Sequence, residues 1–328
     1  MEDKGKDLLS SCSEIDFGSV NLSEGEKEFC CELNDEVISL CKSLPQSTQT
    51  DALLFFMQYF RIPIGQQFSI FTHYYVPAWS IIYWLIQSDH GDNVIAHEDR
   101  KNAKMAHSMA LLLHPLDDHL NDGQIPVTHI SLLLRSQCWM IMNEALNRLA
   151  DRVDKGEEIV QGFMNDYYSS IRNSKEIPSL GTYCDHFRKQ MATWLIVPVL
   201  VAKSLTKNEE FTDAIQNAYE SFGIAWRLLD DINDIQIDMK KGAHSSVYTC
   251  LPEHIKIHWD KGNEDKKNHY SNVILDYILE NGIVERIKEK ICYELDSAAT
   301  IVADYNMAGL ADEFVCLLSP LKNGQNYL

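Results

Sequence analysis

Three aspartates at helical spacing inside an apolar run constrain this chain more than any other feature. Asp230, Asp234 and Asp238 stand at i, i+4 and i+8 within the stretch 224–238. On a helix they share one face, with Asp231 beside the stripe. Leu228, Leu229, Ile232, Ile235 and Ile237 fill the intervening positions. The stretch is therefore expected to be a helix buried on most sides, with a carboxylate ladder on one. Like charges at i,i+4 cost about 0.2–0.5 kcal/mol per pair even in water. In a partly buried wall the cost grows unless a cation sits there or some carboxylates take up protons. Binding of a multivalent cation is the simplest reason to keep such a ladder.

A second acidic cluster sharpens this reading. An apolar run beginning at Leu111 ends in Asp117, Asp118 and Asp122, and Asp118 and Asp122 are again four apart. Asp118 and Asp230 are 112 residues apart, enough for the clusters to face each other across a bundle. Either cluster alone is also what a solvated helix end looks like. Two facing carboxylate walls, with oxygen ligands only, suit Mg²⁺ shared with substrate phosphates.

Other properties narrow the classes. The chain has 328 residues and a formal net charge of −19, so nucleic acid is not an expected partner. Nine cysteines occur without a CxxC pair. That argues against a zinc site or a disulfide framework and points to the reduced cytosol. The first residues lack the basic start and apolar run of a signal peptide. Phe68 to Gln87 is aromatic and apolar, but His73 and Pro77 interrupt it. It reads as a core helix, not a membrane span. His254 and His258 have the spacing of a helical zinc pair, without a third ligand.

Along the chain, residues 1–20 are expected to be loosely ordered, with a single all-α domain over 21–328. Ser23 and Glu26 form a capping-box signal for a helix ending before Pro45. Further helices are expected over 51–59, within the aromatic segment 66–87 with a break at Pro77, and over 99–122 with a kink at Pro115. Others follow over 128–152, 157–172, 183–205 and 209–241, the last ended by Gly242. Residues 89–99 and 261–267 read as polar connections, and the tail adds two or three helices. The fold class is all-α: about ten helices in one large bundle with a central cavity.

The paired Asp-rich motifs, each ending an apolar helical run about 110 residues from the other, resemble those of the class I isoprenoid synthase superfamily. That superfamily includes trans-prenyltransferases and class I terpene synthases. Asp117 to Asp122 resembles the DDxxxD variant of its first motif. Asp230 to Asp238 resembles the prenyltransferase DDxxD more than the cyclase NSE triad. Read as NSE from Asn233, Ile237 and Lys241 occupy the serine and glutamate positions. Phe222-Gly223 ahead of Trp226, Arg227, Leu228 and Leu229 resembles the FGxxxQxxDD approach. Arg188 and Lys189, about forty residues upstream, match the terpene-synthase diphosphate sensor and the prenyltransferase diphosphate-binding lysine respectively. The match spans roughly residues 60–250.

The resemblance implies a catalytic and metal-binding set of Asp117, Asp118, Asp122, Asp230, Asp234 and Asp238, with Asp231 as an additional ligand. It implies Mg²⁺, three ions with Mn²⁺ able to substitute, and a homodimer formed near the first motif. The substrate would be a linear allylic prenyl diphosphate. Charge on the departing diphosphate needs cations. The allylic carbocation left behind needs a dry, aromatic-walled cavity, for which Tyr75, Trp79, Tyr83, Phe222 and Trp226 are candidates. Two departures matter. Where chain-elongating prenyltransferases carry a GGKR-type motif and an arginine pair for isopentenyl diphosphate, this chain keeps only Arg61 and, after the first motif, no arginine. Fixed cationic donors are what phosphate recognition requires, so the second diphosphate site is expected to be lost. The leading expectation is a terpene synthase. The alternatives are a prenyltransferase with an acceptor other than isopentenyl diphosphate, and a non-catalytic subunit of a prenyl synthase.

Overall fold

The computed structural model describes residues 2–88, 95–172, 177–206, 208–261 and 269–323, and among these the regular structure is entirely helical. The helices are α1 (Glu2–Ser13), α2 (Glu24–Ser43), α3 (Gln46–Tyr59), α4 (Pro77–Gln87), α5 (His97–Asn121), α6 (His129–Ala150), α7 (Gly156–Arg172) and α8 (Leu180–Gln190). They continue with α9 (Ala192–Leu205), α10 (Glu209–Asn233), α11 (Ile235–Lys241), α12 (Ser246–Thr249), α13 (Glu253–Lys261), α14 (His269–Glu280), α15 (Ile283–Asp304) and α16 (Ala308–Asn323). Sixteen helices among the described residues stand where about ten were expected.

Local chemistry sets several boundaries as anticipated. Ser23 and Glu26 close a reciprocal capping box on α2. Thr128 and Ser131 do the same on α6. Gly242, at φ +67°, ends α11 in the left-handed conformation that suits glycine. Other boundaries differ. Pro45 both stops α2 and precedes α3, which therefore starts five residues early. Pro77 does not kink a long helix; it occupies the first turn of α4, after a short 3-10 turn at Phe71–His73. Residues 89–94 and 262–267, expected as parts of polar connections, lie outside the described residues.

Two long periodic stretches divide at single residues. The expected helix 183–205 turns at Met191 into α8 and α9, and 209–241 turns at Asp234 into α10 and α11. At the second break, Asp234 N–H still donates to Asp230 C=O and Asp238 N–H to Asp234 C=O, at 2.9 and 2.8 Å. The ladder spacing survives, but the face turns. Ile235 is buried as expected and Ile237 is exposed.

α10 is the central helix. It packs on α15, α9 and α8, and Phe211, Ile215, Tyr219, Phe222, Leu228 and Leu229 along it are all buried. Full burial of such a side chain contributes about 1.5–3 kcal/mol. α5 packs on α6, α2 and α9, so the two acidic motifs end neighbouring walls. The expectation of a loose segment over residues 1–20 needs correction. Glu2–Ser13 is helical, Cys12 and Phe17 are buried, and Gly18 N–H donates to Leu317 C=O. One apolar cluster runs from Cys12 to Leu321. All nine cysteines are free thiols, and no helix among the described residues is long and apolar enough to cross a membrane.

Candidate active site

The ends of the two acidic helices open onto one cavity of about 310 Å³. Asp118 from α5 and Asp230 from α10 both line it. So do Tyr59, Phe60, His73, Tyr74, His114, Pro115, His119, Phe187, Trp194, Gly223, Trp226 and Arg227. Of the two motifs, the fold brings one carboxylate of each, Asp118 and Asp230, to this cavity.

The other aspartates divide by environment. Asp117 accepts from Arg135 Nε at 2.8 Å and Nη2 at 3.0 Å, and so is spent on α6. Asp122 caps the exposed end of α5. Asp231 is buried, 1% exposed. Its Oδ1 lies 3.0 Å from Arg227 Nε and its Oδ2 accepts from Ser246 N–H at 2.9 Å. Asp231 does not line the cavity; a cation and a backbone donor hold its two oxygens and offset the cost of burying its charge. Asp234 and Asp238 continue the ladder from Asp230 across the α10–α11 break.

The electrostatics fit a cation-binding wall. Burial pushes Asp230 up to about 6, with help from Asp234, Asp231 and Asp118 and against the pull of Arg227. Burial also pushes Asp238 up to about 7, with Asp231 and Asp234 adding to it. A divalent cation would relieve this crowding of negative charge. Among the described residues no three His, Cys, Asp or Glu side chains converge on one point. The donor set is thus two separated oxygen walls, which fits hard cations shared with a phosphate ligand. It does not fit a closed all-protein metal cage.

The cations are not where the sequence suggested. Arg188 pairs with Asp185, Glu220 and Glu294. Lys189 is exposed and does not line the cavity. Arg227 does line it. Its Nε donates to Tyr183 Oη at 3.0 Å, and Nη1 stands 3.8 Å from Asp230 Oδ2. The signal was in the sequence: Arg227 occupies the glutamine position of the FGxxxQxxDD pattern, three residues before Asp230.

The aromatic wall also needs correction. Of the five expected members only Trp226 lines the cavity. Trp79 and Phe222 are core residues at 1% and 0% exposure. Tyr83 packs on Phe29 and Trp84. Tyr75 supports Trp226 from behind, centroids 5.4 Å apart, and donates to Asp16. Trp226 is the hub, with Trp194 at 5.4 Å and Tyr74 at 5.9 Å. His114 stands edge-on to Trp194 at 4.7 Å, and burial lowers its pKa, favouring the neutral ring. Tyr59, whose hydroxyl is 2.6 Å from His119 Nδ1, was missed, as were Phe60 and Phe187. Tyr59 and Phe60 lie at the end of α3 and Phe187 on α8, and the packing of these helices brings their rings to the cavity.

No protein-family model matches the chain, and no curated protein matches it in sequence. Its fold does match solved structures. A heptaprenyl diphosphate synthase from Staphylococcus aureus superposes with a TM-score of 0.62 at 11% identity, covering 93% of this chain and 98% of that one. A geranylgeranyl pyrophosphate synthetase from Pyrococcus horikoshii gives 0.60 at 12% identity, covering 97% and 98%. A polyprenyl synthase from Caulobacter crescentus, complexed with calcium and isoprenyl diphosphate, gives 0.58 at 12% identity, covering 96% and 98%. The chain shares the all-α fold of these synthases over nearly its whole length.

Proposed function

We propose that this chain ionises an allylic prenyl diphosphate and transfers the prenyl group to an acceptor other than isopentenyl diphosphate. The observation that carries the reading is that Asp118 and Asp230, from two motifs 112 residues apart, line one aromatic cavity. The fold shared with prenyl diphosphate synthases favours prenyl transfer over cyclisation. The acceptor follows from charge. Among the described residues Arg227 is the one Lys or Arg that lines the cavity, and Arg61, which is exposed, is not part of its lining. A second diphosphate would lack the fixed donors it requires.

Asp118 and Asp230 would hold the divalent ions, and Asp122, Asp234 and Asp238, which follow them along the chain but do not line the cavity, would add to the negative field of the two walls. Mg²⁺, when bound, would neutralise charge on the departing diphosphate. Tyr74, Trp194 and Trp226 present ring faces and edges that exclude water and favour a cation. Self-association is part of the proposal. Leu132 and Met140 lie on the outer side of α6, 47% and 62% exposed, next to the helix that bears the first motif.

A second reading, cyclisation of the same substrate, is favoured by the Trp194–Trp226–Tyr74 wall. One experiment separates the two. The protein is incubated with Mg²⁺ and each of the C10, C15, C20 and C25 diphosphates, with and without isopentenyl diphosphate and candidate neutral acceptors. Products are read by mass spectrometry. Acceptor-dependent products support transfer, a hydrocarbon or alcohol formed without acceptor supports cyclisation, and isopentenyl-dependent elongation overturns the acceptor assignment.

A further inference from the structure

We propose that Arg227 is the residue that anchors the substrate diphosphate, and that Asp231 and Tyr183 aim it; this rests on the prenyl diphosphate reading above. Arg227 sits one helical turn before Asp230, so its guanidinium and that carboxylate reach the same stretch of cavity wall. Its Nε is fully engaged, with Tyr183 Oη and Asp231 Oδ1 each at 3.0 Å. Neither Nη donates a hydrogen bond among the described residues, and Nη1 is only loosely paired with Asp230, at 3.8 Å. The outer edge of the fork therefore faces the cavity with its donors unspent. That edge offers parallel N–H groups that match two phosphate oxygens at once.

The surroundings explain why this cation is kept in place. Asp231 is buried and held by the Ser246 N–H at the start of α12. It neutralises the guanidinium from behind without competing for the front edge. Tyr183, on α8, fixes the rotation of the plane. Phe187 packs over the guanidinium at 5.9 Å. A preorganised donor of this kind needs no rearrangement when an anion arrives. The two cations expected for the role are accounted for otherwise: Arg188 is paired with three carboxylates, and Lys189 is outside the cavity.

The test is calorimetric titration of Mg²⁺-pyrophosphate into the full chain, with circular dichroism to confirm folding. Arg227→Gln alone would strand the buried Asp231, so it is combined with Asp231→Asn, and Arg227→Lys is measured beside it. The double variant is expected to bind pyrophosphate about tenfold more weakly or worse, in line with loss of hydrogen bonds to a charged ligand. Arg227→Lys keeps the charge but loses the fork, and should fall between. Lys189→Ala and Arg188→Lys should stay within about twofold of wild type. Unchanged affinity in both Arg227 variants, or a comparable loss in Lys189→Ala, overturns the assignment and leaves the proposed function standing. A wild-type chain that binds no Mg²⁺-pyrophosphate overturns both.

Discussion

Asp117 gives both carboxylate oxygens to Arg135, at 2.8 and 3.0 Å, while its neighbour Asp118 faces the cavity. Two adjacent aspartates of one motif thus serve different ends. One ties α5 to α6, and the other is available to a cation.

The first prediction is that Asp117→Asn and Asp118→Asn differ in kind. Asp118→Asn should lower kcat about 10²-fold or more, as loss of one preorganised electrostatic group does, with the melting temperature unchanged or slightly raised. Asp117→Asn should cost stability, by about 1–3 kcal/mol for a broken charge-assisted pair, with a smaller effect on kcat. Thermal melts and pyrophosphate release on both variants check this. Equal kcat losses with equal stabilities would contradict the division.

The second concerns metal. Turnover should stop in excess EDTA and return with Mg²⁺, because Asp118 and the Asp230 ladder would otherwise repel the diphosphate. Mg²⁺ and pyrophosphate together should raise the melting temperature more than either alone, since a ligand at 100 times its Kd adds about 2.7 kcal/mol. Full activity in EDTA would be decisive against the reading.

The third concerns pH and lies away from the cavity. Glu313, buried between Ser80, Trp84 and Glu26, is pushed up to about 8, chiefly by burial and further by the Glu26 carboxyl. The folded chain therefore keeps a proton that the unfolded chain loses near 4.5. The associated stability is fully present below that lower value and is lost as pH rises toward 8, at no more than about 1.4 kcal/mol per pH unit. Glu313→Gln should flatten this slope. Melting temperatures of both proteins from pH 5 to 8 give the answer, and parallel curves would refute it.

The fourth concerns assembly. Leu132→Glu with Met140→Glu should convert a dimer to a monomer by placing charge at the outer side of α6. Light scattering at micromolar concentration reads the change. A monomeric wild type would remove this part of the proposal and leave the chemistry untouched.

Periodicity and capping chemistry made the all-α class legible from the sequence, together with the burial of α10 and the pairing of two carboxylate motifs. These are local properties: an i, i+4 spacing or a capping box acts within a few residues, whatever the rest of the chain does. The fates of individual side chains were decided elsewhere. Asp117 and Asp118 are adjacent and chemically identical, yet α6 brings Arg135 to one and leaves the other facing the cavity. Arg188 and Arg227 have the same charge, but Glu220 and Glu294 claim the first, while Tyr183 and Asp231 hold the second with its outer edge open. Trp79 and Trp226 are both aromatic, yet the packing of α4 buries one in the core while α10 brings the other to the cavity. A charged or aromatic group takes its role from the partners that packing delivers: Asp231 is within four residues of Arg227, but Arg135, Tyr183, Glu220 and Glu294 reach their partners from other helices.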